Sequence, residues 1–196
     1  MLEDQFAKPK GWMGKAVGRF MEFENDDLAD WTQSFLQINE NDTILEIGFG
    51  AGGGLASLAK AYPSAELIGV DPSEAMVEMA VSKLQKIRQH QQVLLTHGPA
   101  QVIKNFNLTF DKVYAINNIT FWEDPVGTLR HIHEYMNKGG KIALTLCPHE
   151  EGATDDTTEV LGGQLTSLLT DSGFSQIEVF IKPTKPNNTV CAVAMR

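Results

Sequence analysis

Glu46, Gly48, Gly50, Gly52 and Gly53 lie in the run Ile44-Leu45-Glu46-Ile47-Gly48-Phe49-Gly50-Ala51-Gly52-Gly53-Gly54. These residue types at this spacing build a cradle for a ligand. The apolar start reads as a buried strand, and the glycines read as a tight turn into a helix. Glycine lets the backbone adopt positive φ and lets a ligand approach with no Cβ in the way. A helix N-terminus behind such a turn presents backbone N–H groups. Gly48, Gly50 and Gly53 also satisfy Gly-x-Gly-x-x-Gly, the dinucleotide fingerprint. That fingerprint expects an acid about 20 residues on, at the end of the second strand. Asp71, closing Leu67-Ile68-Gly69-Val70, is that acid. A carboxylate there can accept two hydrogen bonds from a ribose diol. The glycines and Asp71 thus point to an adenosine-type ligand, and both NAD and S-adenosylmethionine qualify.

Elements must position these residues, and the hydrophobic spacing supplies them. Met13, Ala16, Val17, Phe20 and Met21 form a helical stripe, and Leu28, Trp31 and Phe35 mark a second helix behind Asp26-Asp27. The first strand begins near Thr43. A short helix carries Leu55, Leu58 and Ala59, and a second strand covers 66–70. Ser73 is a good N-cap for a helix with Met76, Met79, Ala80, Leu84 and Ile87 on one face. Strands follow at 93–96, 110–116 and 141–146. Between the last two, a helix runs from Asp124-Pro125 to about Asn137, with Gly139 just past its end. A last helix carries Leu161, Leu165, Leu168 and Leu169 and stops at Asp171-Ser172-Gly173. Ile177–Ile181 and Val190–Ala194 then follow with only a Pro/Asn-rich turn between them, so they must be antiparallel. The expected fold is α/β: a doubly wound, mostly parallel seven-stranded sheet with an antiparallel C-terminal hairpin and helices on both faces.

Three features separate the two ligands. Glu46 stands where a pyrophosphate would be repelled, whereas a sulfonium and an α-amino group attract an acid. The first strand is preceded by a long helical stretch, whereas dinucleotide domains often start with that strand. The terminal hairpin breaks an otherwise parallel sheet. Together these resemble the class I S-adenosylmethionine-dependent methyltransferases, over residues 40–196.

The resemblance implies S-adenosyl-L-methionine as methyl donor. Glu46, Gly48, Gly50 and Gly52 match the family's Glu-x-Gly-x-Gly-x-Gly, which wraps the donor's methionine part. Asp71 matches the acid for the ribose hydroxyls, and Pro72 and Met76 stand where residues flank the adenine. Gly98-Pro99-Ala100 replaces the family's Gly-Asp-Ala, which leaves the backbone N–H of Ala100 to face the adenine. Asn117, at the end of the fourth strand, is expected at the donor's methionine end. The run Asn117-Asn118-Ile119-Thr120 is not the Asn/Asp-Pro-Pro-Tyr/Phe of enzymes that methylate amino nitrogens of nucleobases or glutamine. Residues 1–38 are expected to form a helical cap and residues 39–196 the core, as one methyltransferase domain.

A base for the acceptor is not evident. His149 and Trp122 are the candidates near the reacting centre, as a general base and as a stacking platform. His97 ends the third strand, and His131 and His133 lie on a helix away from the strand ends. Trp12, Phe20 and Met21 could line an acceptor pocket or pack as a plain helix face. No Cys/His cluster has metal-ligand spacing. Two alternatives share these residues: a nicotinamide-dependent oxidoreductase, and a donor-binding partner domain without turnover.

Composition narrows the acceptor. The net charge of -9 disfavours a phosphate backbone, so a small molecule is expected and a nucleic acid is not. No apolar run nears the roughly 18 residues of a membrane span, and the N-terminus lacks a signal-peptide profile. Two cysteines in strand-like runs suit a reducing cytoplasm.

Overall fold

The computed structural model describes residues 27–87, 93–148 and 153–196. Among these described residues, seven strands form one sheet in the order β3-β2-β1-β4-β5-β7-β6. They are β1 (Thr43–Ile47), β2 (Glu66–Asp71), β3 (Val93–His97), β4 (Phe110–Ile116), β5 (Met136–Leu146), β6 (Ser175–Lys182) and β7 (Thr189–Met195). The pairs from β3 through β5 are parallel, and β7 is antiparallel to both β5 and β6. The expected terminal hairpin is therefore present.

The helices divide between the two faces. Helical residues 27–34 (α1), α2 (Gly53–Ala61) and α3 (Glu74–Leu84) cover one face. The short 3-10 helix Ala100–Asn105, α4 (Pro125–Glu134) and α5 (Asp155–Asp171) cover the other. Side chains alternate along a strand. On β1 and β4, Leu45, Ile47, Val113 and Ala115 thus pack toward α4 and α5, while Ile44, Tyr114 and Ile116 pack toward α1 and α2. Cover on both faces explains why the central strands read as nearly continuous apolar runs.

Local side chains start three of the helices. Ser73 caps α3, its Oγ accepting the Met76 N–H at 3.4 Å. The Asp124 side chain accepts the Gly127 N–H at 2.8 Å, and Pro125 opens α4. Thr154 and Thr157 cap α5 reciprocally.

Two expectations are corrected. The helix expected to reach Asn137 ends at Glu134, because Met136 already pairs with Phe110 as the start of β5. Gly139 therefore lies within β5, at φ 78, where the register shifts between Phe110 and Lys112. The 3-10 helices Ala100–Asn105 and Ile119–Phe121 were not legible as elements, being too short for a hydrophobic period. Most of the expected cap, including Trp12, Phe20 and Met21, lies outside the described residues.

Candidate functional site

The strand order reverses between β1 and β4: β1 connects toward β2 and β3, β4 toward β5. A crevice opens at the carboxyl ends of strands at such a switch point. The glycine turn occupies it from the β1 side, and Asn117-Asn118 flank it from the β4 side.

The three matched glycines are required for three different reasons. Gly48 has φ 70, and its N–H donates to the Val70 carbonyl at 2.7 Å. A Cβ there would stand 2.4 Å from Asn118 Nδ2. Gly52 has φ 79 and caps α2, and a Cβ would meet Ala80 Cβ at 2.8 Å, so this glycine lets α2 and α3 approach. Gly50 has φ 53, and a Cβ would have nothing within 4 Å. Its open side is where a ligand can lie against bare backbone.

Asp71 fastens the turn to β2. Its Oδ2 accepts the Gly50 N–H and its Oδ1 the Ser73 N–H, each at 2.8 Å. Each carboxylate oxygen retains a further lone pair for a hydroxyl donor. Burial pushes the Asp71 carboxyl up to about 6, against the lowering effect of the two backbone donors and of His97. His97 pairs in register with Asp71 and sits 3.1 Å from the Pro72 carbonyl through Nε2. Pro72 is half-buried beside it, and Met76 is buried in the first turn of α3. Ala100, also buried, opens the 3-10 helix after β3. The first N–H groups of such a helix have no partner within it.

Glu46 turns beneath α2. It pairs in register with Tyr114, whose Oη donates to Glu46 Oε2 at 2.8 Å. Gln33 of α1 donates from Nε2 to Tyr114 Oη at 3.1 Å and to the Gly54 carbonyl at 3.2 Å. Glu46 is 5% exposed and Tyr114 fully buried. Burial, then the Glu46 charge, hold the Tyr114 hydroxyl well above its usual range, so the phenol stays protonated and donates. The N-terminus of α2 above it favours the carboxylate.

A family model described as a methyltransferase domain matches residues 45–142, from the middle of β1 through the glycine turn and Asp71 into β5. The chain belongs to the methyltransferase family. An uncharacterized methyltransferase of Bacillus subtilis, YdaC, is 33% identical over 180 residues, which is 92% of this chain and 97% of that one. A solved S-adenosylmethionine-dependent methyltransferase from Aquifex aeolicus shares the fold, with a TM-score of 0.69 at 18% identity over 85% of this chain and 88% of that one. So does magnesium protoporphyrin IX methyltransferase from Synechocystis, solved with bound donor: TM-score 0.64, 19% identity, 92% of this chain and 80% of that one. The class I methyltransferase fold expected from the glycine turn and the terminal hairpin is thus observed.

On the β4 side of this methyltransferase, two neighbouring asparagines do different things. Asn117, at φ 53, accepts the Cys147 N–H through Oδ1 at 2.8 Å and so ties the ends of β4 and β5 together. Asn118 reaches under the turn instead. Its Nδ2 donates to the Ile47 carbonyl at 2.6 Å and to the Ile116 carbonyl at 3.2 Å. Its Oδ1 is buried with no hydrogen-bond partner among the described residues. Both carbonyls can only accept, which fixes the amide with its oxygen turned away from them. Asn118 was missed in the sequence because the paired asparagines give no sign of which faces the turn.

Trp122 is half-buried and packs against the core under α4, while its neighbour Phe121 is 49% exposed. His131 lies against Tyr135, and His133 stands edge-on to Phe174, so both pack away from the crevice. His149 lies outside the described residues. Among the described residues no group of three or more His, Cys, Asp or Glu side chains could hold a metal, and no helix is long and apolar enough to cross a membrane.

Proposed function

We propose that this methyltransferase holds S-adenosylmethionine in the crevice between β1 and β4 and methylates a small-molecule acceptor. When bound, the donor supplies an electrophilic methyl group on a sulfonium. Gly50 carries the reading: its backbone is bare on the open side, while its N–H is fixed on Asp71. Gly48, Gly52 and the turn between them wrap the donor's methionine part, with Glu46 supplying negative charge beneath. Asp71 takes the ribose hydroxyls. Pro72, Met76 and the Ala100 N–H border the adenine. Asn117 and Asn118 wall the methionine end from β4, and the unpartnered Asn118 oxygen suits a donor such as an ammonium group. Methyl transfer of this kind can proceed largely by positioning, which fits a site without an evident base.

Two observations support a small acceptor. The connections that follow the carboxyl ends of β1 to β5 run from two residues (72–73) to eight (117–124 before α4, 147–154 before α5), too short for an inserted substrate domain. The net charge of -9 repels polyphosphate chains. Transfer of radiolabelled methyl from the donor is the test, run against a panel of small amines, phenols and carboxylic acids beside bulk tRNA. Label entering a small molecule bears the reading out, and label entering only tRNA overturns it.

A further inference from the structure

The buried polar chain beneath the glycine turn has a fixed direction. The Gly54 carbonyl can only accept, so the Gln33 atom bonded to it is the amide nitrogen. The same nitrogen therefore donates to Tyr114, and the single phenolic proton of Tyr114 goes to Glu46. Amide, phenol and carboxylate run in one order, in a setting where such bonds reinforce one another. Gly54 shows how tightly the chain is enclosed. A Cβ on it would stand 2.9 Å from Tyr114 Oη and 3.0 Å from Glu46 Oε1. Only a bare residue in the first turn of α2 leaves room for the pair.

The polarity has a chemical consequence. A phenol that donates favours the ionised form of the carboxylate it meets. It also holds that carboxylate in one rotamer, at the register position beside the switch point. We propose that Tyr114 and Gln33 are positioning residues for Glu46, and that through Glu46 they set affinity for the α-ammonium group of the donor. This deepens the proposed function, since it takes Glu46 to face the donor's methionine end.

Two ligands separate the relay from a general structural role. S-adenosylhomocysteine carries the α-ammonium group, and 5′-methylthioadenosine has the same nucleoside without the amino-acid end. Calorimetry on the full chain compares wild type, Tyr114→Phe, Gln33→Met and Glu46→Gln, with thermal melting to confirm folding. Tyr114→Phe is expected to weaken S-adenosylhomocysteine by about tenfold, the scale of one charge-assisted hydrogen bond, and to leave 5′-methylthioadenosine unchanged. Gln33→Met is expected to give the same split at about threefold, and it decides the matter if Tyr114→Phe does not fold. Equal weakening of both ligands, or of neither, overturns the relay. If Glu46→Gln splits the ligands and the other two variants do not, the relay alone fails. If Glu46→Gln shows no split either, the reading of Glu46 as the donor's partner fails with it.

Discussion

The Gly50 amide donates to Asp71 Oδ2 at 2.8 Å, and with the bond from Gly48 to the Val70 carbonyl it joins the turn after β1 to the end of β2. The carboxylate is gripped on its other oxygen by Ser73, at the start of α3. Asp71 is therefore a fastener of three segments as well as the proposed ribose ligand. Its near-complete burial is what gives the first prediction.

Burial raises the Asp71 carboxyl from 3.8 to about 6 in the folded chain. The folded state thus holds this proton more tightly than the unfolded state does. The stability this contributes is fully present below about pH 3.8 and is lost as pH rises through about 6. Asp71→Asn removes the dependence. On going from about pH 4 to about pH 7, the stability of wild type relative to Asp71→Asn is expected to fall by on the order of 2 kcal/mol. Urea unfolding at the two pH values measures this, and a constant difference would refute it.

Gly50 and Gly52 separate ligand approach from packing. Gly50→Ala meets open space and is expected to cost about 1 kcal/mol through its positive φ. It should nevertheless weaken S-adenosylhomocysteine by at least about tenfold, because the methyl lies where the donor is proposed to lie. Gly52→Ala drives a methyl into Ala80 and is expected to cost about 3 kcal/mol, from strain and overpacking together. Thermal melts paired with calorimetry distinguish the two.

The fold was legible in the sequence because its signals are periodic and local. The terminal hairpin was readable from the Pro/Asn turn at 182–188, and Ser73 from its place before an apolar stripe. The site was legible only in part. Glu46, the glycines and Asp71 sit at fixed offsets along one chain segment. The partners of Glu46 do not: Gln33 and Tyr114 meet it across three elements, and no spacing joins them. The end of α4 was misplaced because tertiary pairing of Met136 with Phe110 overrode a helical pattern that runs on to Asn137.

Asn117 and Asn118 offer a further separation. Asn118→Ala removes the side-chain donor to the Ile47 and Ile116 carbonyls, at a cost of about 1–2 kcal/mol. It is expected to weaken S-adenosylhomocysteine more than Asn117→Ala, which removes the Oδ1 acceptor of the Cys147 N–H after β5. Calorimetry on both variants gives the order, and the reverse order would reject the assignment of Asn118 to the crevice.

The two cysteines should react unequally. Burial pushes the Cys191 thiol up to about 12, so it holds almost no thiolate at neutral pH. Cys147, at the end of β5, is half-buried. A thiol reagent on the native protein is expected to label Cys147 and leave Cys191 unmodified until denaturant is added. Mass spectrometry of labelled peptides reads this directly, and early labelling of Cys191 would contradict its position in the sheet.

The order β5-β7-β6 also has a meaning in time. β6 leaves the ribosome before β7, yet among the described residues it pairs with the sheet only through β7. Until β7 is made, β5 presents an open apolar edge and β6 has nothing to pair with. Assembly of this flank thus runs against the direction of synthesis, with the later strand as the keystone. Any event that delays β7 leaves two unsatisfied strand edges on one nascent chain, the condition under which chains pair with one another instead of with themselves.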